Sequence, residues 1–304
     1  MRLGAVALLA GLVLGLPRPT PASADADAAG KDELPVAALL APFRGAEGRS
    51  SAHIWLEIPG PALLTAAEAG KELTVSVEVA APPGRIEGSF SHTVDLADES
   101  LRDAATRSAL RLHGAVELAP GAYTLVYRVT VDRERTGEQA GPDAVRRLAE
   151  RRLPFEIAPF KAEHASLLPP FFVDEYGLDD LEDGLVRRGE ADHDPFVTAA
   201  HEPFVPDVVP VVQAGERARL VLSGYHLTGE QSLLEAVLTT ADGRRLGKER
   251  LALIRRHQDE SGLERLDFAL QTEGLTAGEY QLEVSIQDLQ HGRVDQTLMP
   301  FEIR

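Results

Sequence analysis

The densest run of chemically capable side chains in this sequence is Asp179-Asp180-Leu181-Glu182-Asp183-Gly184-Leu185-Val186-Arg187-Arg188-Gly189-Glu190. Set against a twelve-residue calcium loop, Asp179 takes position 1, Asp183 position 5, Gly184 the turn at 6, Val186 the apolar position 8 and Glu190 the bidentate position 12. Ca²⁺ is a hard cation that prefers oxygen ligands, and this spacing offers it carboxylates from one loop. Two features oppose the reading: Leu181 stands at position 3, where an oxygen belongs, and no amphipathic helix flanks the run. The competing reading of the same residues is a solvated acidic linker.

Other reactive chemistry is hard to assemble. The chain has no cysteine, which removes thiol nucleophiles, thiolate metal sites and disulfides. It has no Gly-x-Ser-x-Gly elbow to expose an activated serine. Gly243 to Gly247-Lys248-Glu249 approaches a phosphate loop, but the glycine spacing is short by one and Glu249 replaces the Ser/Thr that would hold Mg²⁺; Asp242-Gly243 reads as a hairpin turn instead. His201-Glu202 lacks the second histidine of a zinc protease helix, and His193 between Asp192 and Asp194 is an incomplete ligand set. No nucleophile–base pair or metal set emerges, so an enzyme is not expected and no cofactor is called for beyond a candidate Ca²⁺. The one Trp, Trp55, lies on the polar side of its strand beside His53, which makes that face a candidate glycan contact.

The elements that would position these residues read as strands. Ala52, Ile54, Leu56 and Ile58 alternate with His53, Trp55 and Glu57. Val75, Val77 and Val79 alternate with Thr74, Ser76 and Glu78, Ala218, Leu220 and Leu222 with Arg217, Arg219 and Val221, and Leu266, Phe268 and Leu270 follow. One apolar and one polar face per strand marks antiparallel sheet with a wet side. Asp143 to Arg152 reads as a short helix with Val145, Leu148 and Ala149 inward, and Leu101 to Leu110 as another turn or two.

A repeat organises the chain. Leu118-Ala119-Pro120-Gly121-Ala122-Tyr123-Thr124-Leu125 and Leu275-Thr276-Ala277-Gly278-Glu279-Tyr280-Gln281-Leu282 share L-x-x-G-x-Y-x-L. Each runs into an alternating strand and later closes with Pro-Phe-Glu-Ile, at Pro154–Ile157 and Pro300–Ile303. The first copy is longer by an insertion around Gly137 to Arg147. Such order predicts a turn, a long hairpin and a final strand in each of two similar domains, with Tyr123 and Tyr280 as structural corners rather than acids. Between the repeats, Asp174 to Asp194 carries nine acids and two arginines, a composition with no core of its own that should stay extended.

Arg2, the apolar stretch Leu3 to Leu16 and Ala22-Ser23-Ala24 form a signal-peptide pattern ahead of Asp25. The stretch is too short to span a bilayer and no second one follows, so the mature protein is expected to be exported, periplasmic or extracellular, with no integral membrane segment. A net charge of −17 argues against nucleic acid and anionic membranes as partners and leaves a protein partner as the expectation.

With these motifs in place, residues 115–304 resemble the C-terminal tails of bacterial secreted von Willebrand factor A-related proteins. Pro154-Phe155-Glu156-Ile157, Phe160 and Leu167-Leu168 match the middle of that pattern, and Pro203-Phe204-Val205-Pro206, Gly215 to Leu222 and Leu275 to Ile303 match a second sandwich. The A domain itself is missing: Asp98-Glu99-Ser100-Leu101-Arg102 lacks the second serine of the metal motif, so metal-dependent adhesion does not carry over. The expectation is therefore an all-β chain of two tandem immunoglobulin-like or macroglobulin-like antiparallel β-sandwiches joined by an acidic linker. A signal peptide at 1–24 precedes a first sandwich at 35–160, a linker at 161–195 and a second sandwich at 196–304. Its expected role is a non-catalytic extracytoplasmic structural or protein-interaction module. The alternative is a ligand-binding protein, taking calcium in the linker or glycan at the Trp55 face.

The calcium reading has a direct measurement. If the loop binds Ca²⁺, millimolar Ca²⁺ raises the melting temperature, and Asp183→Ala and Glu190→Ala each abolish the rise; a wild-type melt unmoved by Ca²⁺ removes the site.

Overall fold

Alternation decides the strands. In the computed structural model, which describes residues 33–68, 70–132, 145–160, 164–174, 185–188, 195–227, 232–247 and 250–304, Leu73, Val75, Val77 and Val79 are fully buried while Thr74, Ser76 and Glu78 between them keep part of their solvent. This is the period-two signature of a strand with one core-facing side. The described chain is all-β apart from two short helices. In order it forms β1 (Ala37–Arg44), β2 (Ser50–Ile58), α1 (Gly60–Ala67), β3 (Glu72–Ala81), β4 (Arg85–Asp95), α2 (Glu99–Ala105), β5 (Leu110–Leu118), β6 (Gly121–Asp132) and β7 (Val145–Ile157). Short strands follow: β8 (Ser166–Leu167), β9 (Phe171–Asp174), β10 (Val186–Arg188), β11 (Val205–Pro206) and β12 (Val211–Val212). The last six are β13 (Arg217–Tyr225), β14 (Ser232–Thr240), β15 (Leu251–Gln258), β16 (Leu263–Gln271), β17 (Gly278–Asp288) and β18 (Arg293–Ile303).

Sheets β1-β2-β5-β10 and β4-β3-β6-β7 face each other across one core that includes Ile54, Leu56, Leu112, Val75, Val77 and Tyr127. Sheets β11-β9-β13-β16-β15 and β12-β18-β17-β14 enclose a second, with Leu220, Leu222, Leu266, Leu282, Val284 and Ile286. Helix α2 caps one gap of the first sandwich. Asp98 accepts from the Ser100 N–H at 2.9 Å as its N-cap, and Leu101, Ala104 and Ala105 turn inward.

The two copies of the motif occupy matching places. Gly121 opens β6 opposite Ile157, and Gly278 opens β17 opposite Ile303. Tyr123 lies across from Phe155 and Tyr280 across from Phe301, with ring centroids 5.6 and 5.7 Å apart and near-parallel planes in both. Each hydroxyl donates to a carbonyl four residues upstream, Tyr123 to Ala119 at 2.7 Å and Tyr280 to Thr276 at 2.8 Å. The glycine follows from the backbone: φ is +150° at Gly278, where an L side chain is strained. Asp242-Gly243 is a turn as well, with Gly243 at φ +82° and the Leu246 N–H bonded to the Leu238 carbonyl at 2.8 Å.

Three expectations are corrected. Residues 145–152 are strand, not helix. A β-bulge between Val129 and Thr130 leaves Leu148 as an extra residue, so Leu148 and its neighbour Ala149 both reach the core. Val145, the third residue of the expected helical face, stays exposed. The stretch between the repeats does not lack a core: Leu168, Phe171, Leu185, Val186 and Phe196 are buried. Its strands join both sandwiches, β10 pairing in parallel with β5 while β8 and β9 pair with β13. Nor is the outer face of β2 wet, since His53, Trp55 and Glu57 are all buried.

One strand departs from the repeat. β4 pairs with β3, but β15, its counterpart by order, pairs with β16 in the opposite sheet. The first sandwich fills the corresponding flank of β5 with β10.

The duplicated corner predicts equal energetics. Tyr123→Phe and Tyr280→Phe each delete one hydroxyl–carbonyl hydrogen bond and should each lower stability by about 1 kcal/mol in urea unfolding; a large effect at one corner and none at the other would show that the two are not equivalent.

Candidate functional site

The residue types able to do chemistry converge where the sandwiches meet. The outer faces of β1, β2 and β5 present Phe43, Trp55, His53 and His113, and β13 and β16 present Val221, Tyr225 and Leu263. Leu168, Phe171, Val186, Phe196 and Phe204 from the intervening segment fill the space between and complete a third apolar core. Removing this much aromatic surface from water favours one joined body over two separate ones.

Within that core lies a stack. The rings of Trp55 and His113 sit 4.6 Å apart and those of His113 and His53 5.2 Å apart, nearly parallel in both pairs. Phe196, fully buried, meets all three edge-on at 5.4 to 5.7 Å. The Arg188 guanidinium lies 5.6 Å over the Trp55 ring and donates to the Phe204 carbonyl at 2.8 Å. His53 Nδ1 and His113 Nε2 are 3.0 Å apart, a hydrogen bond that needs a lone pair on one of the two rings. Ser51 Oγ is 3.3 Å from His53 Nε2, and His92 Nε2 donates to the His113 carbonyl at 2.8 Å. Burial pushes His113 down to about 3, helped by the nearby His53, Arg188 and His92. Trp55 Nε1 and His113 Nδ1 are buried without a hydrogen-bond partner among the described residues.

Charged groups border the stack. Arg111 on β5 donates from Nε to Glu57 Oε2 and from a terminal nitrogen to Asp207 Oδ1, both at 3.0 Å. Glu57 is its cross-strand neighbour on β2, whereas Asp207 arrives from the chain after β11. All three are largely dry, which makes these hydrogen bonds strong and their geometry demanding. On the other flank the Tyr225 hydroxyl accepts from the Arg44 backbone N–H at 3.1 Å, and the Arg44 guanidinium lies 4.2 Å over the Tyr225 ring. Burial pushes the Tyr225 hydroxyl up.

This arrangement can bind the sandwiches to each other, and it withholds its functional groups from solvent. Trp55 has no exposed surface, so the glycan face expected from the sequence is corrected: the ring packs beneath Phe196 and Arg188 and offers no platform. The calcium candidates Asp179, Asp183 and Glu190 lie outside the described residues, as does His193. Among the described residues no group of three or more His, Asp or Glu is placed to hold a metal ion. His201 stands beside His257, ring centroids 4.1 Å apart, at φ +63°. Sequence reasoning missed Arg111, Asp207 and Phe196. The available signal was that β2 carries His53, Trp55 and Glu57, and β5 carries Arg111 and His113, on the faces turned from their core, where Ser, Thr and Lys would suit water better.

No protein-family model matches the chain, and no curated protein matches it. Among solved structures, one with partial likeness is a family 123 glycoside hydrolase from Clostridium perfringens, at 8% identity and a TM-score of 0.25. The match covers 32% of this chain and 22% of that one, and at this level it carries no argument about activity.

The stack makes stability depend on pH. His113 is held at about 3 in the folded state against 6.5 for the free side chain, so between those values the unfolded chain binds more protons. The contribution is complete above pH 6.5 and is lost as pH falls toward 3. Between pH 7 and pH 5 the wild type should lose about 2 kcal/mol from this group, measured by urea unfolding, and His113→Phe should flatten that part of the dependence. An equal acid loss in the variant would show that His113 titrates normally.

Proposed function

We propose that the chain is a non-catalytic, exported structural or protein-interaction module that works as one rigid two-sandwich body. The observation that supports this most is the burial of His53, His113, Trp55, Glu57 and Arg111: each is under a tenth exposed and each is turned toward the join between sandwiches. Groups enclosed in this way hold the two halves together and cannot meet a substrate. Export rests on the signal-peptide pattern at 1–24, and among the described residues no helix is long and apolar enough to cross a membrane. An aromatic core between the sandwiches favours a fixed angle between them over the variable one that an extended linker implies.

Calorimetry on the full chain tests the joined body. The wild type should melt in a single transition. Arg111→Ala leaves Glu57 buried beside Asp207 without its cation, should lower stability by about 3–5 kcal/mol, and should split the melt in two by freeing the sandwiches from each other. Two transitions already in the wild type would sink the rigid-body reading. The non-catalytic part fails if purified protein turns over chromogenic glycosides or esters and Glu57→Gln or His113→Phe abolishes that turnover.

A further inference from the structure

The sheet containing the second half of the join ends on β15, whose outer backbone edge has no strand partner among the described residues. Edge strands in soluble proteins are usually covered, or kept short and polar, because an open row of N–H and C=O groups recruits other chains. β15 is eight residues long, and Ala252, Leu253, Ile254, Arg255 and Arg256 are all exposed in succession. Leu253 and Ile254 keep 56% and 60% of their surface in water. The register shifts between Leu253 and Arg255, which sets Ile254 outward as an extra residue.

Charge sets this edge apart from the rest of the molecule. On a chain of net −17, β15 and the residue before it carry Arg250, Arg255 and Arg256 and no acid. Arg250 is spent on the carbonyls of Gln271 and Glu273, and Arg256 lies 3.6 Å from Glu264. Arg255 has no ion-pair partner among the described residues.

The geometry points to β15 as a strand-addition site for an extended, acidic segment of a partner protein, in which acidic residues alternate with apolar ones. The partner's backbone would complete the open ladder, its apolar side chains would cover Leu253 on one face, and its carboxylates would meet Arg255 on the other. A second copy of this chain fits less well, because it brings the same arginines and the same overall negative charge to the contact. This inference rests on the reading of the protein as an interaction module and names the surface it uses.

Fluorescence anisotropy with the full chain tests it, using labelled decapeptides of alternating Glu-Val and of alternating Lys-Val. The Glu-Val peptide should bind at least tenfold more tightly than the Lys-Val peptide, and Arg255→Glu with Arg256→Glu should reverse that order. N-methylation of alternate peptide nitrogens along one edge should remove binding, because ladder hydrogen bonds are then lost while charge is unchanged. Equal binding of the two peptides, no binding of either, or undiminished binding of the methylated peptide overturns the proposal. Concentration-dependent dimerisation that Ile254→Glu abolishes overturns it too, in favour of a second copy. None of these outcomes bears on catalytic turnover or on the single calorimetric transition, so the module reading fails or stands separately.

Discussion

The outer face of the β2–β5 pair governs this molecule. A β-sandwich can leave the outside of each sheet in water, but this pair puts a tryptophan and two histidines on its outside together with a Glu–Arg pair. Trp55 alone presents more apolar surface than a solvated strand face normally tolerates. Once that face is covered, much of the rest follows. The segment after β7 must cross it, so its phenylalanines are buried. The second sandwich must approach close enough to bring Val221, Tyr225 and Leu263 into the same core.

The covering segment does its work by lending short strands. β10 extends the first sandwich, while β9 and β11 extend the second, so each sandwich gains a strand on the flank that faces the join. This gives the intervening backbone a place for its hydrogen bonds, which a buried irregular loop would lack. It also explains the asymmetry between the two repeats. The flank of β5 is occupied by β10, so β4 stays with β3; the flank of β16 has no such visitor, and β15 crosses sheets to occupy it.

Local pattern carried the strands and the repeat. Leu73 to Val79 could be read from alternation alone, and the shared Gly-x-Tyr and Pro-Phe-Glu-Ile motifs fit a register that matches in the two hairpins from the glycine as far as the β7 bulge. The errors have physical causes. A bulge lets the adjacent apolar residues Leu148 and Ala149 both face the core, which breaks strand alternation, so β7 read as a helix there. The join between sandwiches was invisible because its contacts are remote in sequence: Arg111 meets Asp207 across 96 residues and Arg44 meets Tyr225 across 181. A polar face of His, Glu and Arg looks solvated until the partner that pairs with it is known. The acidic run Asp174 to Asp194 dominates the composition there, whereas Leu168, Phe171 and Phe196 on either side of it join the core that holds Trp55.

Apolar burial explains why the sandwiches associate but not why they associate at one angle, since it is non-directional and roughly proportional to area. Direction comes from the hydrogen bonds that rim the aromatic core. Arg111 holds Glu57 on its own sheet and Asp207 on the far side at the same 3.0 Å, so a slide between the sandwiches breaks one bond and leaves a buried carboxylate unpaired. The Arg44–Tyr225 contact makes the same demand on the other flank. Between them lie Trp55 Nε1 and His113 Nδ1, two buried polar atoms without hydrogen-bond partners, whose desolvation costs about 1–3 kcal/mol each. Contacts among the flat rings, stacked or edge-on, offset that penalty only while those geometries are kept. The Trp55, His113 and His53 rings belong to one sheet, so the angle that the two arginines impose governs how Phe196 and the second sandwich close over them, and the arginines need the dry surroundings that this closure provides.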